Sequence, residues 1–337
     1  MPTLFIPTRN RAHSLGNVLS YMQRFYPDVN IAIADGSNSD CIKDVENVVN
    51  SYSQILPIDY QHYDPIIHLN KRTILALEKI NDEFIVFGAD DDYPIMELFA
   101  QGEAFLIENP TYSTAMGLRL KIKTSLTDGV QLKMATVRCV EADNCETRMR
   151  LFSKWSFATT NAVTRKKHAI RRCEDMQRFI FNNDAELDNF IGFLDYLIGN
   201  YDAAHGKIKA FSDVGYISGY HYKHDRFRNI DKLFYLKMPE QIVAMQKLLI
   251  YLAQEYGDAP YQDAHKLSVK LLRMRAAELS GAGFRKSSQF ENSKEFNHPV
   301  VQEQHGLVDS SFELLRTNLS PEIQEKLDYA TAALTIE

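Results

Sequence analysis

The sequence predicts an α/β protein built on a mostly parallel sheet, followed by an all-helical extension. Short apolar runs alternate with helical patterns through the first 110 residues, and this alternation is typical of a parallel sheet with covered faces. The loops that follow the first, second and central runs all carry charged residues. From about residue 229, four helical patterns follow without a convincing strand. We therefore predict an α/β domain over residues 1–228 and a helical extension over residues 229–337.

The composition is that of an ordinary globular protein. Hydrophobic residues make up 45% and charged residues 24% of the 337 residues, as in most globular domains. The net charge of −6 argues against a nucleic-acid-binding protein, because such proteins present a basic surface. The four cysteines lack metal-site spacing, and no apolar run approaches the roughly 18 residues of a membrane span. The N-terminus has no cationic signal-peptide start, so we expect a cytoplasmic protein.

The first strand is predicted at Thr3–Ile6 and is ended by Pro7. A basic turn follows at residues 8–11. Ser14 is the candidate N-cap of a helix whose apolar residues recur with helical spacing as far as Phe25.

Two further strands are predicted at Ile31–Ala34 and Ile55–Tyr60. Asp35 opens a turn-rich loop after the second strand. Helices are expected at about residues 42–49 and 70–80, so that strand and helix keep alternating. Parallel strands then bring their carboxyl-end loops to one edge, where open α/β sheets bind ligands.

The central strand, Phe84–Phe87, is followed by three consecutive carboxylates at Asp90, Asp91 and Asp92. Such a run repels itself, so a bound cation is one reason for it. Hard oxygen ligands suit Mg²⁺ or Mn²⁺, and Mg²⁺ is commonly held by one or two carboxylates together with substrate phosphates. The alternative is a solvated acidic turn that caps the helix starting near Pro94.

The remaining elements are predicted from periodicity and turn residues. They are a helix at 94–109, a hairpin at 115–138, a helix from Asp143 or Asn144 to Trp155, a strand at 157–163, a helix capped by Asn183 or Asp184, a strand at 211–220, and helices at 239–256, 261–279, 310–318 and 320–334.

Residues 1–225 resemble a family-2-like glycosyltransferase of the GT-A fold, the Rossmann-like fold of nucleotide-diphospho-sugar transferases, of a bacterial cell-envelope type. Residues 5–11 (FIPTRNR) are similar to the family's opening strand and nucleotide-contacting turn, and residues 34–37 (ADGS) to its second-strand motif. Residues 89–92 (ADDD) look like its DxD element, and residues 106–117 are similar to the segment after it.

The resemblance implies a nucleotide-sugar donor and a Mn²⁺ or Mg²⁺ cofactor that neutralises the departing diphosphate. It implies nucleotide contacts from Pro7, Thr8, Arg9 and Arg11, and a base contact from Asp35. Asp92 is the expected direct metal ligand. Asp90 is expected to contact the ribose or the metal, and Asp91 is the least defined of the three.

The resemblance also implies a catalytic base and further ligands. The family takes its base from an acidic pair at a helix start, where we assign Asp188 first and Glu186 second, although Leu187 separates them. The alternative is that both merely favour the helix N-terminus. His221, with His224 as its alternative, is the candidate third metal ligand.

Lys71 and Arg72 are candidate phosphate-facing residues, because cations are disfavoured at the helix start where they lie.

We therefore expect a metal-dependent, inverting transfer of sugar, from a UDP-sugar in the first instance, to a saccharide or lipid-linked acceptor in cell-surface polysaccharide synthesis. The alternatives are a non-catalytic nucleotide- or saccharide-binding scaffold and a sugar nucleotidyltransferase. The nucleotidyltransferase is disfavoured because no glycine-rich loop follows the first strand.

The helical extension is a candidate homodimer interface, a candidate peripheral membrane contact or, as we prefer, a cover for the sheet edge. Its cations among apolar positions favour weak attraction to anionic lipid; they are Lys247, Lys266, Lys270, Arg273 and Arg275.

Overall fold

The protein is described by a computed structural model. It describes residues 1–125, 129–135, 137–155, 157–181, 191–221, 239–279 and 319–335. Within these residues, nine strands form a single mixed sheet. From one edge of the sheet to the other, the strands are residues 58–62, 31–35, 3–8, 84–87, 163–165, 112–125, 207–221 and 92–94, and the strand at 129–135 pairs with the outer part of 112–125.

The first four strands are parallel, as the alternation of strands and helices predicted. They are β1 Thr3–Thr8, β2 Ile31–Asp35, β3 Ile58–His62 and β4 Phe84–Phe87. β1 and β4 are buried on both sides, which explains why they read as continuous apolar runs. Their carboxyl ends meet at one edge, where Thr8 is paired with Asp35 and Gly88 donates its N–H to the Phe5 carbonyl at 2.8 Å.

Four helices accompany this half of the sheet: α1 Ala12–Phe25, α2 Ile42–Tyr52, α3 Leu69–Leu77 and α4 Met96–Glu108. α1 buries one apolar side against the sheet, which explains its helical spacing of apolar residues. That side consists of Leu15, Val18, Leu19, Tyr21 and Met22.

The second half of the sheet is built around two long strands, β6 Tyr112–Ser125 and β9 Lys207–His221, which run parallel to each other. β7 Gly129–Ala135 forms the predicted hairpin with β6. β8 Val163–Arg165 joins β6 to β4, and β5 Asp92–Pro94 pairs with β9. The pairing of β5 with β9 brings the acidic loop after β4 against the middle of β9.

Three helices pack beside the sheet: α5 Cys145–Trp155, α6 Lys166–Phe179 and α7 Ile191–His205. The buried carboxylate of Asp202 joins α6 to α7, because it accepts hydrogen bonds from His168 at 2.8 Å and Arg172 at 2.9 Å. Thr159 donates a third at 2.6 Å. Burial alone would raise the pKa of Asp202, but these donors together lower it below its usual value. Arg172 also lies over the Phe87 ring at 5.3 Å, which ties this network to the end of β4.

The helical region contributes α8 Pro239–Gly257, α9 Tyr261–Leu279 and α10 Pro321–Thr335, close to the bounds predicted. α8 and α9 pack on α5, α6 and α7, whereas α10 packs on β9, β6 and α1. Lys326 of α10 is buried and bonds to Glu97 at 2.9 Å. None of the helices described here combines the length and apolar character needed to cross a bilayer.

Several local predictions were wrong. β1 continues through Pro7, whose missing N–H costs no ladder bond because β4 pairs with β1 only as far as Phe5. Ser14 lies inside α1 rather than at its cap. The third strand begins at Ile58, since Leu56 still donates its N–H to Tyr52 at the end of α2.

Two further differences lie beyond β4. The predicted strand over residues 157–163 is confined to Val163–Arg165, because Ala162 donates its N–H to Thr159 in a turn. The helix expected from Pro94 begins at Met96. α6 was not predicted at all. The predicted helix at residues 310–318 lies outside the described residues.

Candidate functional site

The three aspartates after β4 lie at the carboxyl edge of the parallel strands. Asp90 and Asp92 are 4% and 5% exposed, whereas Asp91 faces solvent more openly. Their position follows from the fold, since β4 ends at Phe87 and β5 begins at Asp92 in the ladder with β9. The loop between the two strands is therefore fixed at both ends.

Asp90 is held by the end of β1 and by the turn that follows it. Thr8 Oγ1 donates to Asp90 at 2.7 Å, and Arg11 Nη1 donates to the same carboxylate at 2.5 Å. The second nitrogen of Arg11, Nη2, bonds to Asp91 at 2.6 Å. Burial raises the pKa of Asp90 to about 6, although the Arg11 charge opposes the shift. The predicted nucleotide-contacting turn and the acidic loop therefore form one unit.

Asp92 contacts a residue that the sequence did not reveal. Arg119 of β6 approaches Asp92 with Nη2 at 3.4 Å and donates from Nε to Ser218 Oγ at 3.0 Å. Tyr216 of β9 accepts a hydrogen bond from the Ala89 N–H at 3.1 Å. Burial raises the pKa of Asp92 well above its usual value, with Arg119 opposing the shift. The two long strands thus position the acidic loop.

The acidic loop fits a divalent cation. Asp90 and Asp92 are desolvated carboxylates, and a nearby positive charge favours the ionised form of such groups. Asp92 Oδ1 receives no hydrogen bond from the part of the chain that is described. Among those residues no three acidic, histidine or cysteine side chains converge on a metal position. A Mg²⁺-like ion therefore requires ligands from elsewhere, as happens when substrate phosphates complete the shell.

A second part of the site surrounds Asp35 at the end of β2. Asp35 Oδ1 accepts from the Ser37 N–H at 2.8 Å and from the Ser37 hydroxyl at 2.6 Å. Tyr60 donates its hydroxyl to Oδ2 at 2.9 Å. Asn10 N–H donates to Ser37 Oγ at 2.8 Å, which joins this loop to the turn after β1.

Arg72 is a buried cation beside this loop. Its side chain is 4% exposed, and burial lowers its pKa below the usual value while Asp35 opposes that shift. Its Nε is buried without a partner, and its guanidinium makes no hydrogen bond or ion pair with the residues described. The guanidinium rests against the Gly36 backbone. Lys71, in contrast, is exposed, so only one of the two predicted phosphate-facing residues lies within the site.

If the nucleotide implied by the family resemblance binds here, Gly36→Ala is expected to weaken its binding about 10- to 100-fold, the equivalent of one hydrogen bond to a charged group. A Cβ atom at Gly36 would occupy the position of the Arg72 guanidinium and displace it. Calorimetric titration with UDP measures the effect. Gly16→Ala is the matched control, because its Cβ would meet Val48 at an ordinary 3.6 Å. Equal UDP affinity in both variants would show that Arg72 does not bind the nucleotide.

The remaining predicted residues are placed less completely. Arg9 is exposed and donates to Asn38 at 3.2 Å at the rim of the loop. His221 ends β9, across from Thr124. The candidate bases Glu186 and Asp188 lie outside the described residues, as does His224.

A cavity of about 100 Å³ lies next to the site, between the ends of β1 and β4 and the helices α3, α6 and α7. Pro7 and Gly88 line it on the sheet side, and Leu194 and Ile198 line it from α7, the helix that follows residues 182–190. Asn70 also lines it, and its Nδ2 is buried without a partner.

The fold is similar to that of TarS from S. aureus, a GT-A glycosyltransferase of the cell wall. The crystal structure of TarS residues 1–349 has a TM-score of 0.52 and 13% identity, covering 99% of this chain and 88% of that chain. The same TarS segment in complex with UDP-GlcNAc has a TM-score of 0.55 and 15% identity over the same shares. A longer TarS structure matches with a TM-score of 0.52 and 14% identity, with 53% of its length covered.

The chain has the GT-A fold. No family model and no curated protein matches the sequence, and identities of 13–15% establish the fold alone. The predicted fold class is therefore confirmed. Within this GT-A fold, the turn after β1, the Asp35 loop and the acidic loop lie together at the carboxyl edge of the sheet. Three of the four segments quoted for the family resemblance therefore share one site, and the fourth, residues 106–117, spans the end of α4 and the start of β6.

Arg119 and Ser218 are the site residues that sequence reasoning missed. Arg119 lies between Leu118 and Leu120 on β6, and an alternating charge on a strand is typical of a solvated face. No local signal separates it from Lys121. Only the pairing of β6 with β9, and of β9 with β5, brings it to Asp92.

Proposed function

We propose that this protein transfers a sugar from a nucleotide-diphosphate donor, a UDP-sugar, to a saccharide or lipid-linked acceptor. The observation that carries the proposal is the meeting of two buried carboxylates, Asp90 and Asp92, with two arginines, Arg11 and Arg119, at the carboxyl edge of a GT-A sheet. A donor of this kind carries a diphosphate, which needs cations. The UDP-GlcNAc complex of TarS supports the choice of a UDP-sugar.

The arginines have a direct use in this chemistry. Sugar transfer breaks the bond between the anomeric carbon and the diphosphate, so negative charge develops on the leaving nucleotide. Guanidinium groups bind phosphate oxygens through paired hydrogen bonds. Arg11 and Arg119 now neutralise the acidic loop and lie within reach of any phosphate bound there. We assign both to the diphosphate.

Mn²⁺ or Mg²⁺ is the proposed cofactor, held by Asp92 with help from Asp90. When bound, the ion would supply Lewis-acid and electrostatic stabilisation of the leaving diphosphate. His221 remains a proposed additional ligand. The acidic loop is held from two sides, because Thr8 donates to Asp90, the Tyr216 hydroxyl accepts from the Ala89 N–H, and Ser218 pairs with Asp92 in the sheet.

The nucleoside end of the donor is assigned to the Asp35 loop. Asp35 is held rigidly by Ser37 and Tyr60, and a carboxylate accepts further hydrogen bonds beyond these. Arg72 contributes a buried guanidinium with an unsatisfied donor. Pro7 and Thr8 lie between this loop and the acidic loop, because Thr8 pairs with Asp35 in the sheet.

The acceptor hydroxyl must lose its proton as its oxygen attacks the anomeric carbon. Asp188 is the proposed base, with Glu186 as the alternative, and the acceptor proton moves to that carboxylate. Direct displacement by the acceptor oxygen inverts the anomeric centre. A lipid-linked acceptor would place the reaction at the cytoplasmic face of a membrane, within the synthesis of a cell-surface polysaccharide.

A nucleotide panel tests the proposal. UDP with Mn²⁺ is expected to raise the melting temperature, because a ligand that binds only the native state stabilises it. UDP-sugars incubated with a saccharide acceptor are then expected to release UDP. No thermal shift with UDP, GDP or CDP in the presence of Mn²⁺ would contradict nucleotide-sugar binding. A shift without sugar transfer to any acceptor would favour the scaffold alternative.

A further inference from the structure

The outer side of the α8–α9 hairpin carries a cluster of exposed cations. Lys247 is exposed on α8, and Lys266, Lys270 and Arg273 are exposed on α9. The three α9 residues are four and then three positions apart, which places them on one side of the helix. Arg275, which the sequence analysis grouped with these cations, points inward instead. Its guanidinium carbon lies 5.2 Å from the centre of the Tyr196 ring. We call the four exposed cations the basic face.

The basic face surrounds an apolar centre. Gln246 of α8 contacts His265 of α9, with Nε2 atoms 3.3 Å apart, and the two helices form a hairpin with a short connection. Val243 lies three residues before Gln246, and Val269 lies four residues after His265. Because the two helices run antiparallel, these valines lie at nearly the same height along the hairpin. Val243 is 46% exposed and Val269 is half-buried.

The cations of the basic face are largely unneutralised. Lys247, Lys270 and Arg273 form no hydrogen bond or ion pair with the residues that the structure describes. Only Lys266 has a carboxylate partner, Asp263 at 3.1 Å. The whole chain carries a net charge of −6, which repels anionic surfaces. The positive charge of this cluster is therefore local and does not follow from the overall charge.

We propose that the basic face docks the protein on an anionic lipid surface. Three lysines and an arginine around one exposed and one half-buried valine match the phosphates and the acyl-chain boundary of a lipid surface. Docking of this kind is peripheral and sensitive to salt, because exposed charges are screened within about 10 Å at 0.1 M salt. The inference concerns residues of α8 and α9 alone and stands whether or not the sheet edge binds a nucleotide sugar.

The test is co-sedimentation of the full chain with vesicles at low salt. Binding is expected to vesicles of phosphatidylglycerol and phosphatidylcholine in equal parts, and not to phosphatidylcholine alone. Each lost cation costs about fivefold in affinity, so Lys270→Glu with Arg273→Glu is expected to weaken binding at least about 25-fold. Both side chains are exposed, so the melting temperature without vesicles should stay unchanged.

A charge-matched control separates docking from net charge. Lys43→Glu with Lys167→Glu makes the same charge change at exposed positions on α2 and α6, and should weaken binding less than about fivefold. Equal loss in the two double variants would overturn the proposal, as would equal binding to both kinds of vesicle. Failure of the unaltered protein to bind anionic vesicles at low salt would also overturn it.

Discussion

Asp92→Ala is expected to abolish Mn²⁺-dependent binding of UDP. Asp92 is buried, and one of its carboxylate oxygens accepts no hydrogen bond from a described residue. We therefore assign it as the direct metal ligand. Loss of an outer-shell partner of a metal ligand already costs about 10- to 100-fold in metal affinity or activity, so loss of the ligand itself should cost more than about 100-fold. Calorimetric titration with UDP, with and without Mn²⁺, measures the difference.

Asp91→Ala is the matched control for Asp92→Ala. It removes a carboxylate from the same loop, but Asp91 lies nearer to solvent and contacts only Arg11 among the residues described. Its expected effect on UDP affinity is less than about tenfold, in line with one partly exposed charged contact.

The melting temperature of the free variant separates a folding defect from lost metal binding, because Asp92→Ala also removes the carboxylate partner of Arg119. UDP affinity that stays unchanged and dependent on Mn²⁺ would refute the assignment of Asp92.

Asp188→Asn is expected to suppress sugar transfer while leaving UDP binding intact. A general base typically contributes about 100- to 10,000-fold to the rate, and asparagine has the same shape but cannot accept the acceptor proton. The turnover number should fall by that factor, and the dissociation constant for UDP should stay within about threefold. Steady-state kinetics and calorimetry on the same preparation measure the two quantities.

Glu186→Gln distinguishes the two candidate bases. If Asp188 is the base, Glu186→Gln should retain most turnover. The reverse outcome would move the base to Glu186. Full turnover in both variants would show that the two carboxylates only favour the helix N-terminus, as negative charges do.

Local sequence signals were sufficient for the parallel half of the sheet and for the helical region. β4 was predicted at Phe84–Phe87, and α9 at Tyr261–Leu279, with the bounds that the structure has. Each of these segments carries its own signal, either a short apolar run or a helical spacing of apolar residues.

Elements stabilised by distant partners were not predictable in this way. α6 buries His168, Arg172 and Asp175, so polar residues interrupt its apolar stripe and the helical pattern is lost. These polar groups are buried because Asp202 and Tyr201 of α7 bond to them. The three-residue strand β5 likewise exists through its pairing with β9.

The residues of the site differ in the same way in how far the sequence predicts them. The acidic loop and Asp35 follow strands directly, so the sequence located them from the strands. Arg119 and Arg72 reach the site through tertiary structure: Arg119 across β6 and β9, and Arg72 by lying against Gly36. Sequence spacing predicted which loops meet at the carboxyl edge of the sheet, but it did not predict that Arg119 lies there.

The most direct measurement is a crystal structure of the protein with Mn²⁺ and UDP, with anomalous scattering used to locate the manganese. We predict a manganese peak bonded to an Asp92 carboxylate oxygen and to the diphosphate, with Arg119 moved from Asp92 towards phosphate. UDP bound with no manganese peak at Asp90 or Asp92, or a peak at carboxylates elsewhere, would contradict the central claim that these aspartates hold a divalent cation against the nucleotide.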